Sequence, residues 1–315
     1  MTEQDRVDVA VVGGGVAGLS AAVALARSRR SVVVVDAGQP RNAPASGVHN
    51  LLGRDGIAPR DLLAAGRREA EGYGARILSG RATTARRADG GFEIGLGDGA
   101  TLHARRLLLA GGLVDELPDI PGMAEQWGNR VLHCPYCHGW EVRDQRIGVV
   151  GINQMSAHQA LLFRQLSDDV TLFTHTMPEL DDETVERFAA RDIALVRGTV
   201  EQVRSDGEIL RAVSIDGRDF PIDAVVVAPH FVARSDLYEQ LGGTVTPHPT
   251  GSFIDTEPMG RTELAGVWAA GNASTLHAMV AASNGSGVEA AAAINADLVL
   301  EDADVAVRER AAVAG

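Results

Sequence analysis

The sequence predicts an α/β protein of two dinucleotide-binding, Rossmann-like domains, the second inserted into the first. Three observations predict it: a strand, a glycine-rich turn and a helix at the start of the chain; a second strand–turn–helix opening near the middle; and a late strand with an alanine-rich helix that returns to the first unit. The expected division is 1–115 for the opening segment, 116–245 for the insertion and 246–315 for the return.

The opening strand is "VDVAVV" (7–12), short, apolar and rich in β-branched residues. It runs into Gly13-Gly14-Gly15-Val16-Ala17-Gly18 and the helical stretch "LSAAVALARS", which is G-x-G-x-x-G between a strand and a helix. Gly13, Gly15 and Gly18 allow a tight turn and the close approach of a pyrophosphate, whose charge is met by free N–H groups where Val16 and Ala17 begin the helix. The next strand, "SVVVVD", ends at Asp36, where an acid can accept hydrogen bonds from an adenosine ribose. Strand, turn, helix, strand and acid agree.

Two later segments belong with this unit. "RRLLLAGG" (105–112) reads as a buried strand ending in the small residues Ala110 and Gly111, and "LAGVWAAGN" (264–272) as another ending at Gly271-Asn272. A loop and the alanine-rich helix follow. The helix start, at Met279 and Val280, either faces a bound cofactor ring, whose negative charge it would stabilise, or serves close packing alone. Between these segments, "LVDELPDIPG" (113–122) and "TVTPHPTG" (244–251) carry proline and glycine and are expected as hinges. Inside them, "RIGVVG" opens the second strand–turn–helix, "DVTLFTH" is a strand, and "SIDGRDFPIDAVVVAP" reads as a hairpin leading into another strand.

Composition narrows the function. The chain has 315 residues, 45% of them apolar, with 29 basic against 42 acidic side chains and no lysine; a net charge of −13 argues against nucleic acid as a partner. "MTEQDRVDVAVVGGG" has no secretory pattern and no apolar run reaches membrane-spanning length, so a cytoplasmic protein with no membrane partner is expected. In a reducing compartment, two cysteines are expected to bind metal or to cycle between thiol and disulfide.

Both cysteines lie in "HCPYCHGWE" (133–141). Cys134, Cys137 and His138 have the C-x-x-C-H spacing of covalent haem attachment, but that chemistry requires export and would have to share the chain with a dinucleotide fold. Zinc would need four ligands, His133, Cys134, Cys137 and His138, from six consecutive residues, which do not readily surround one ion tetrahedrally; no metal is expected. A redox-active pair remains.

The order of dinucleotide motif, insertion carrying C-x-x-C and returning motif resembles the low-molecular-weight thioredoxin reductase family over nearly the whole chain. The resemblance implies FAD as cofactor, strand ends at Ala110-Gly111 and Gly271-Asn272 passing close to the flavin, and a homodimer. It implies that Cys137 faces the flavin while Cys134 exchanges with the substrate thiol. "VHNLLGRDG" is similar to a flavin-side loop of that family, which carries a binding role onto Asn50; Arg41, in "GQPRNAP", is a candidate for a phosphate or adenine contact.

Four positions depart from the reductases. The second turn reads Gly151-Ile152-Asn153-Gln154-Met155-Ser156, with Asn153 where the middle glycine would admit a pyrophosphate; no arginine follows "DVTLF" to hold a 2′-phosphate; Asn272 stands where an aspartate is usual; and His138 stands where an acid is usual. In these features the chain resembles the flavin dithiol oxidases of gliotoxin and holomycin biosynthesis. That resemblance implies a small-molecule dithiol substrate, disulfide formation in it, and oxygen as acceptor giving hydrogen peroxide. The rival is a disulfide reductase serving a thioredoxin-like protein, fed by NADPH or another donor. Thiol–disulfide exchange needs thiolates, so His138 is the first candidate to take the substrate proton, with Glu141 orienting it; His133 is second and His230, after "AVVVAP", third. Tyr136 and Trp140 either line a substrate groove or pack.

Overall fold

The computed structural model describes residues 6–314. The chain forms two compact units, one of residues 1–43, 59–114 and 231–315, the other of residues 44–58 and 115–230.

The first unit begins with β1 (Arg6–Val12), α1 (Val16–Arg27) and β2 (Val32–Asp36), then α2 (Pro59–Gly72), β3 (Arg76–Ser79), β4 (Ala82–Ala88), β5 (Gly91–Leu96) and β6 (Thr101–Leu109). Strands β3, β2, β1 and β6 lie side by side in parallel, and β5 and β4 continue the sheet from β6 as antiparallel neighbours. Both faces of its central strands β1, β2 and β6 are buried, which is why these read as continuous apolar runs. Along β2, Val32 and Val34 enter one core with Val9, Val11 and Leu108, while Val33 and Val35 enter the other with Ala10, Leu107 and Leu109.

The chain leaves through β7 (Leu113–Glu116) and builds the second unit from β8 (Val131–Leu132), α3 (Pro135–His138), β9 (Ile147–Val150), α4 (Met155–Phe163), β10 (Val170–Phe173), α5 (Asp182–Ala190), β11 (Ala194–Val196), β12 (Val200–Asp206), β13 (Ile209–Ile215), β14 (Arg218–Pro221) and β15 (Ala224–Val227). Strands β11-β10-β9-β15-β8 form a parallel sheet, and β12-β13-β14 an antiparallel one whose hairpin leads into β15 as the sequence predicts.

The return comprises β16 (His230–Ala233), α6 (Asp236–Gln240), β17 (Thr246–His248), β18 (Gly251–Phe253), β19 (Val267–Ala269) and α7 (Val280–Ala314). It starts at Phe231 where residue 246 was expected, because Leu237, Tyr238 and Ile254 are core residues of the first unit. The stretch "TVTPHPTG", read as a hinge, contains β17, an edge strand paired only with β18; an edge tolerates Pro247, whose missing N–H would otherwise break a ladder. Strand β19 pairs with the second half of β6 and completes the parallel sheet.

Helix α7 closes the first unit by crossing α1 at very short range. A Cβ on Gly287 would lie 2.1 Å from the carbonyl oxygen of Ala17, so only glycine fits there. Ser20 Oγ donates to Asn284 at 2.6 Å beside the crossing. Further along, Arg106 of β6 donates to Asp297 of α7 at 2.6 Å, and its neighbour Arg105 donates to Asp8 of β1 at 2.8 Å. Among the described residues no helix is long and apolar enough to cross a membrane.

Gly287→Val should force the two helices apart and destabilise the protein by about 1–3 kcal/mol, the usual cost of overpacking. Gly285, on the same helix, has open space where its Cβ would be, so Gly285→Ala should stabilise by up to about 1 kcal/mol through helix propensity. Urea midpoints of the two variants, moving in opposite directions, would check the crossing.

Candidate functional site

The redox turn is built at the end of β8. Cys134 is the N-cap of α3, Pro135 presets its first turn, and the Cys134 carbonyl accepts from the N–H groups of Cys137 and His138, both at 3.2 Å. Cys134 and Cys137 are joined as a disulfide, with Cα atoms 5.3 Å apart. Asn50, in the left-handed region at φ 57°, donates through Nδ2 to the Tyr136 carbonyl at 2.5 Å. Within the unit to which residues 44–58 belong, this residue secures the redox turn.

The histidines around the pair take different roles. His138 ends α3 half-buried, and its Nε2 is buried with no hydrogen-bond partner among the described residues. Burial lowers its pKa below the ordinary imidazole value, Glu141 acts against that, and His49 adds to it. Glu141 was expected to orient His138; its carboxylate instead lies 3.3 Å from Nε2 of His49, so it acts on His138 through charge. His133 stacks on Trp127, ring centroids 5.7 Å apart, and its carbonyl accepts from Gln159 Nε2 at 2.8 Å. His230 is exposed at the first residue of β16, and no hydrogen bond ties it to the redox turn among the described residues. Sequence reading missed His49 and Gln159. His49 stands beside Asn50 in a quoted motif, and its type was a signal that could have been used.

In the first unit, the turn between β1 and α1 forms an open cradle. Gly13, at φ 107°, approaches β6 so closely that a Cβ would lie 2.3 Å from the Ala110 carbonyl oxygen. A Cβ on Gly15 would meet no atom within 4 Å, leaving room before the first N–H groups of α1 at Val16, Ala17 and Gly18. Asp36 Oδ1 accepts from the Gly14 N–H at 3.2 Å, and its other oxygen pairs with Arg67 of α2, a neighbour that sequence reading also missed.

The returning segment is organised by Asn272. Its Nδ2 faces the carbonyls of Thr275, Leu276 and Ala278 at 3.0, 3.2 and 3.0 Å, and its Oδ1 accepts from Arg41 at 3.2 Å. The two Nδ2 hydrogens are shared among these three carbonyls, and an ionised aspartate in that place would have no hydrogen to offer any of them. Arg41 also lies over the Phe231 ring, 5.2 Å from its centroid. Ser286 of α7 accepts from the Gly271 N–H at 3.0 Å, which ties the loop to the helix, while Met279 is exposed where α7 begins at Val280.

The second turn, between β9 and α4, is closed by its own side chains. Asn153 Oδ1 accepts from the Met155 N–H at 2.9 Å, and Ser156 Oγ from the Ile152 N–H at 3.2 Å. Met177 packs against Gly151: a Cβ on that glycine would be 2.4 Å from the methionine sulfur. After β10, Thr174 Oγ1 and His175 Nδ1 accept from the N–H groups of Gly198 and Val200 at 3.2 and 3.1 Å. The position that would hold a phosphate clamp thus holds loop-forming acceptors.

The pattern of the pyridine nucleotide-disulphide oxidoreductases matches residues 7–308. The chain belongs to that family. Among its oxidoreductase relatives, the thioredoxin reductase tcpT of Claviceps purpurea is 33% identical over 286 residues, covering 86% of this chain and 88% of the relative. The thioredoxin reductase aclD of Aspergillus oryzae is 29% identical, covering 94% and 97%. Among solved structures, that of HlmI superposes with a TM-score of 0.92 at 42% identity, covering 100% of this chain and 99% of that one, and an oxidoreductase from Agrobacterium tumefaciens with 0.88 at 36%, covering 94% and 99%. The fold is that of the thioredoxin reductases, with two Rossmann-type domains.

Membership in this disulphide oxidoreductase family implies a flavin, and the open cradle at Gly13–Gly18 fits the diphosphate of a dinucleotide. Asp36 would share its carboxylate between Arg67 and a ribose, and α7 would present its start at Met279 and Val280. Asn272→Asp should loosen the loop over residues 275–278, lower stability by roughly 1–3 kcal/mol through carbonyls left without donors, and reduce the flavin-to-protein ratio of the purified enzyme. An aspartate variant with unchanged melting temperature and flavin content would refute the role given to Asn272.

Proposed function

We propose that the protein is an FAD-dependent dithiol oxidase that closes a disulfide in a small-molecule dithiol, with oxygen as acceptor and hydrogen peroxide as by-product. The observation that carries this reading is the contrast between the two turns. The first leaves its helix N–H groups without a capping side chain and open space at Gly15, whereas the second carries Asn153 at the matching position, with its Oδ1 already accepting from the Met155 N–H at the helix start. A protein that drew electrons from NADPH would need the second turn to take a pyrophosphate. A protein that receives electrons from its substrate does not.

In this reading a substrate thiol loses its proton to His138, whose burial lowers its pKa and so favours the neutral ring that can accept it. The thiolate attacks Cys134 Sγ, the Cys134–Cys137 bond breaks, and Cys137 leaves as thiolate. The second substrate thiol, deprotonated in turn, attacks its partner sulfur in the mixed disulfide, closing the product disulfide and releasing the Cys134 thiolate. Two electrons and two protons have then left the dithiol. Bound FAD supplies the two-electron acceptor that restores the enzyme disulfide and passes the electrons to oxygen. Tyr136 and Trp140, exposed beside the pair, offer apolar surface to a small substrate. A homodimer in the cytoplasm completes the proposal.

A second reading, an NADPH-fed reductase of a thioredoxin-like protein, draws on the names of the relatives. Anaerobic mixing separates the two: a small dithiol should bleach the flavin absorbance quickly, and NADPH slowly or not at all. Rapid bleaching by NADPH, saturating in the micromolar range typical of working enzymes, would restore the reductase. The cysteines should also divide their labour. Cys137→Ser should trap substrate on Cys134 as a mixed disulfide visible by mass spectrometry, and Cys134→Ser should abolish the trap; an adduct on Cys137 alone would reverse the assignment.

A further inference from the structure

Beside the redox turn lies a group of side chains that the chemistry above uses only in part. His49 sits between two carboxylates: its Nδ1 is 3.0 Å from Asp55 Oδ1, and its Nε2 is 3.3 Å from Glu141 Oε1. Glu141 follows His138 by three residues, on the 3-10 turn after α3, and acts on the His138 ring by charge. The Glu141 carboxylate thus has two imidazoles within its field. It pairs with His49, and His138 Nε2 stays buried without a partner.

That choice has a chemical consequence. An imidazole that is to accept a thiol proton must arrive neutral. A carboxylate bound directly to it favours the charged ring, because an opposite charge within about 4–6 Å stabilises the protonated form. The charged groups acting on His138 are Glu141 from the turn after α3 and His49 from the 44–58 segment, with burial the largest influence. Those facing His49 are Asp55 and Glu141. Drawn to His49, the Glu141 charge no longer lies directly on His138.

We propose that His49 is a positioning residue for the dithiol chemistry: by holding Glu141 to the 44–58 segment it keeps that carboxylate off His138 and leaves the His138 ring without a carboxylate partner and able to take the substrate thiol's proton. The inference deepens the dithiol-oxidase reading and rests on it. The proton passes from the substrate sulfur to His138, the thiolate attacks Cys134, and Cys137 departs with the electron pair of the broken disulfide. His49 touches none of the reacting atoms.

The test uses the full-length, flavin-loaded protein with nitrogen-labelled histidine, and His138→Ala to assign its signal, so that the His138 titration is read by NMR without substrate. His49→Ala should raise the midpoint by about one pH unit, a tenfold gain in proton affinity, as Glu141 turns to His138. Glu141→Gln should lower it, and His49→Ala added to Glu141→Gln should raise it far less than in the parent, because only the direct charge of His49 then remains to be lost. Dithiol turnover of His49→Ala should fall on the order of tenfold at pH 6.5 and recover towards the parent at pH 8.5, with the double variant rescued at the lower pH. Single variants that shift the titration in the same direction or not at all, or a turnover loss equal at every pH, would overturn the inference. Should His49→Ala fail to fold, His49→Phe, which keeps a ring but removes both nitrogens that face the carboxylates, replaces it: a raised midpoint upholds the inference and an unmoved one overturns it. A parent enzyme without dithiol turnover would remove the oxidase reading itself, whereas normal parent turnover with an unmoved titration would remove only the role of His49.

Discussion

The first unit depends on the crossing of α1 and α7, where the Ala17 carbonyl occupies the space that any side chain at residue 287 would need. Helix α7 belongs to the end of the chain and α1 to its start, so the contact closes a loop containing the whole inserted unit. Closing so long a loop costs little more entropy than closing a shorter one, since the penalty grows only with the logarithm of length. What the contact must supply is fit. Gly287 supplies it, with Ser286 binding the Gly271 N–H on the same turn. One short stretch of α7 therefore aligns the returning strand end with the dinucleotide turn that precedes α1.

The two Rossmann turns illustrate how one fold can be opened or closed by a few local atoms. Both follow a buried parallel strand and precede a helix. In the first, the space at Gly15 is empty and the helix N–H groups have no capping side chain; in the second, Asn153 fills the matching position and takes the Met155 N–H at the helix start, while Ser156 takes the Ile152 N–H of the loop. A ligand entering the second turn would have to displace hydrogen bonds already made, so the gain from its phosphate would be offset by donors and acceptors left unpaired. The architecture is kept and the binding face is not.

Much of this was legible from sequence because it is written locally. The β1–turn–α1–β2 run, the terminal Asp36 and the capped second turn each lie within a few tens of residues, and their residue types state their geometry directly. Asn153 could be read as an obstruction, although its role as a cap needed the structure. What escaped was set by long-range pairing. Residues 44–58 lie far from "HCPYCHGWE" in sequence, so neither the Asn50 bond to Tyr136 nor the His49 contact with Glu141 has a spacing rule that would reveal it. The expected hinge at 244–251 failed for another reason: proline and glycine mark an edge strand as readily as a linker, and core residues in the stretch 231–254 decide which.

The clamp between β6 and α7 is made of guanidinium groups, in a chain with no lysine. Pairing with Asp302 and Asp8 raises the pKa of Arg105 against the effect of its burial, and arginine begins above the range in which any thiol ionises. A lysine in that place would begin to lose its charge near pH 10, not far above the range where thiols lose theirs. With arginine, the scaffold and the redox pair respond to separate parts of the alkaline scale. Solutions alkaline enough to ionise a small-molecule thiol therefore leave the framework that carries the first unit at a constant charge.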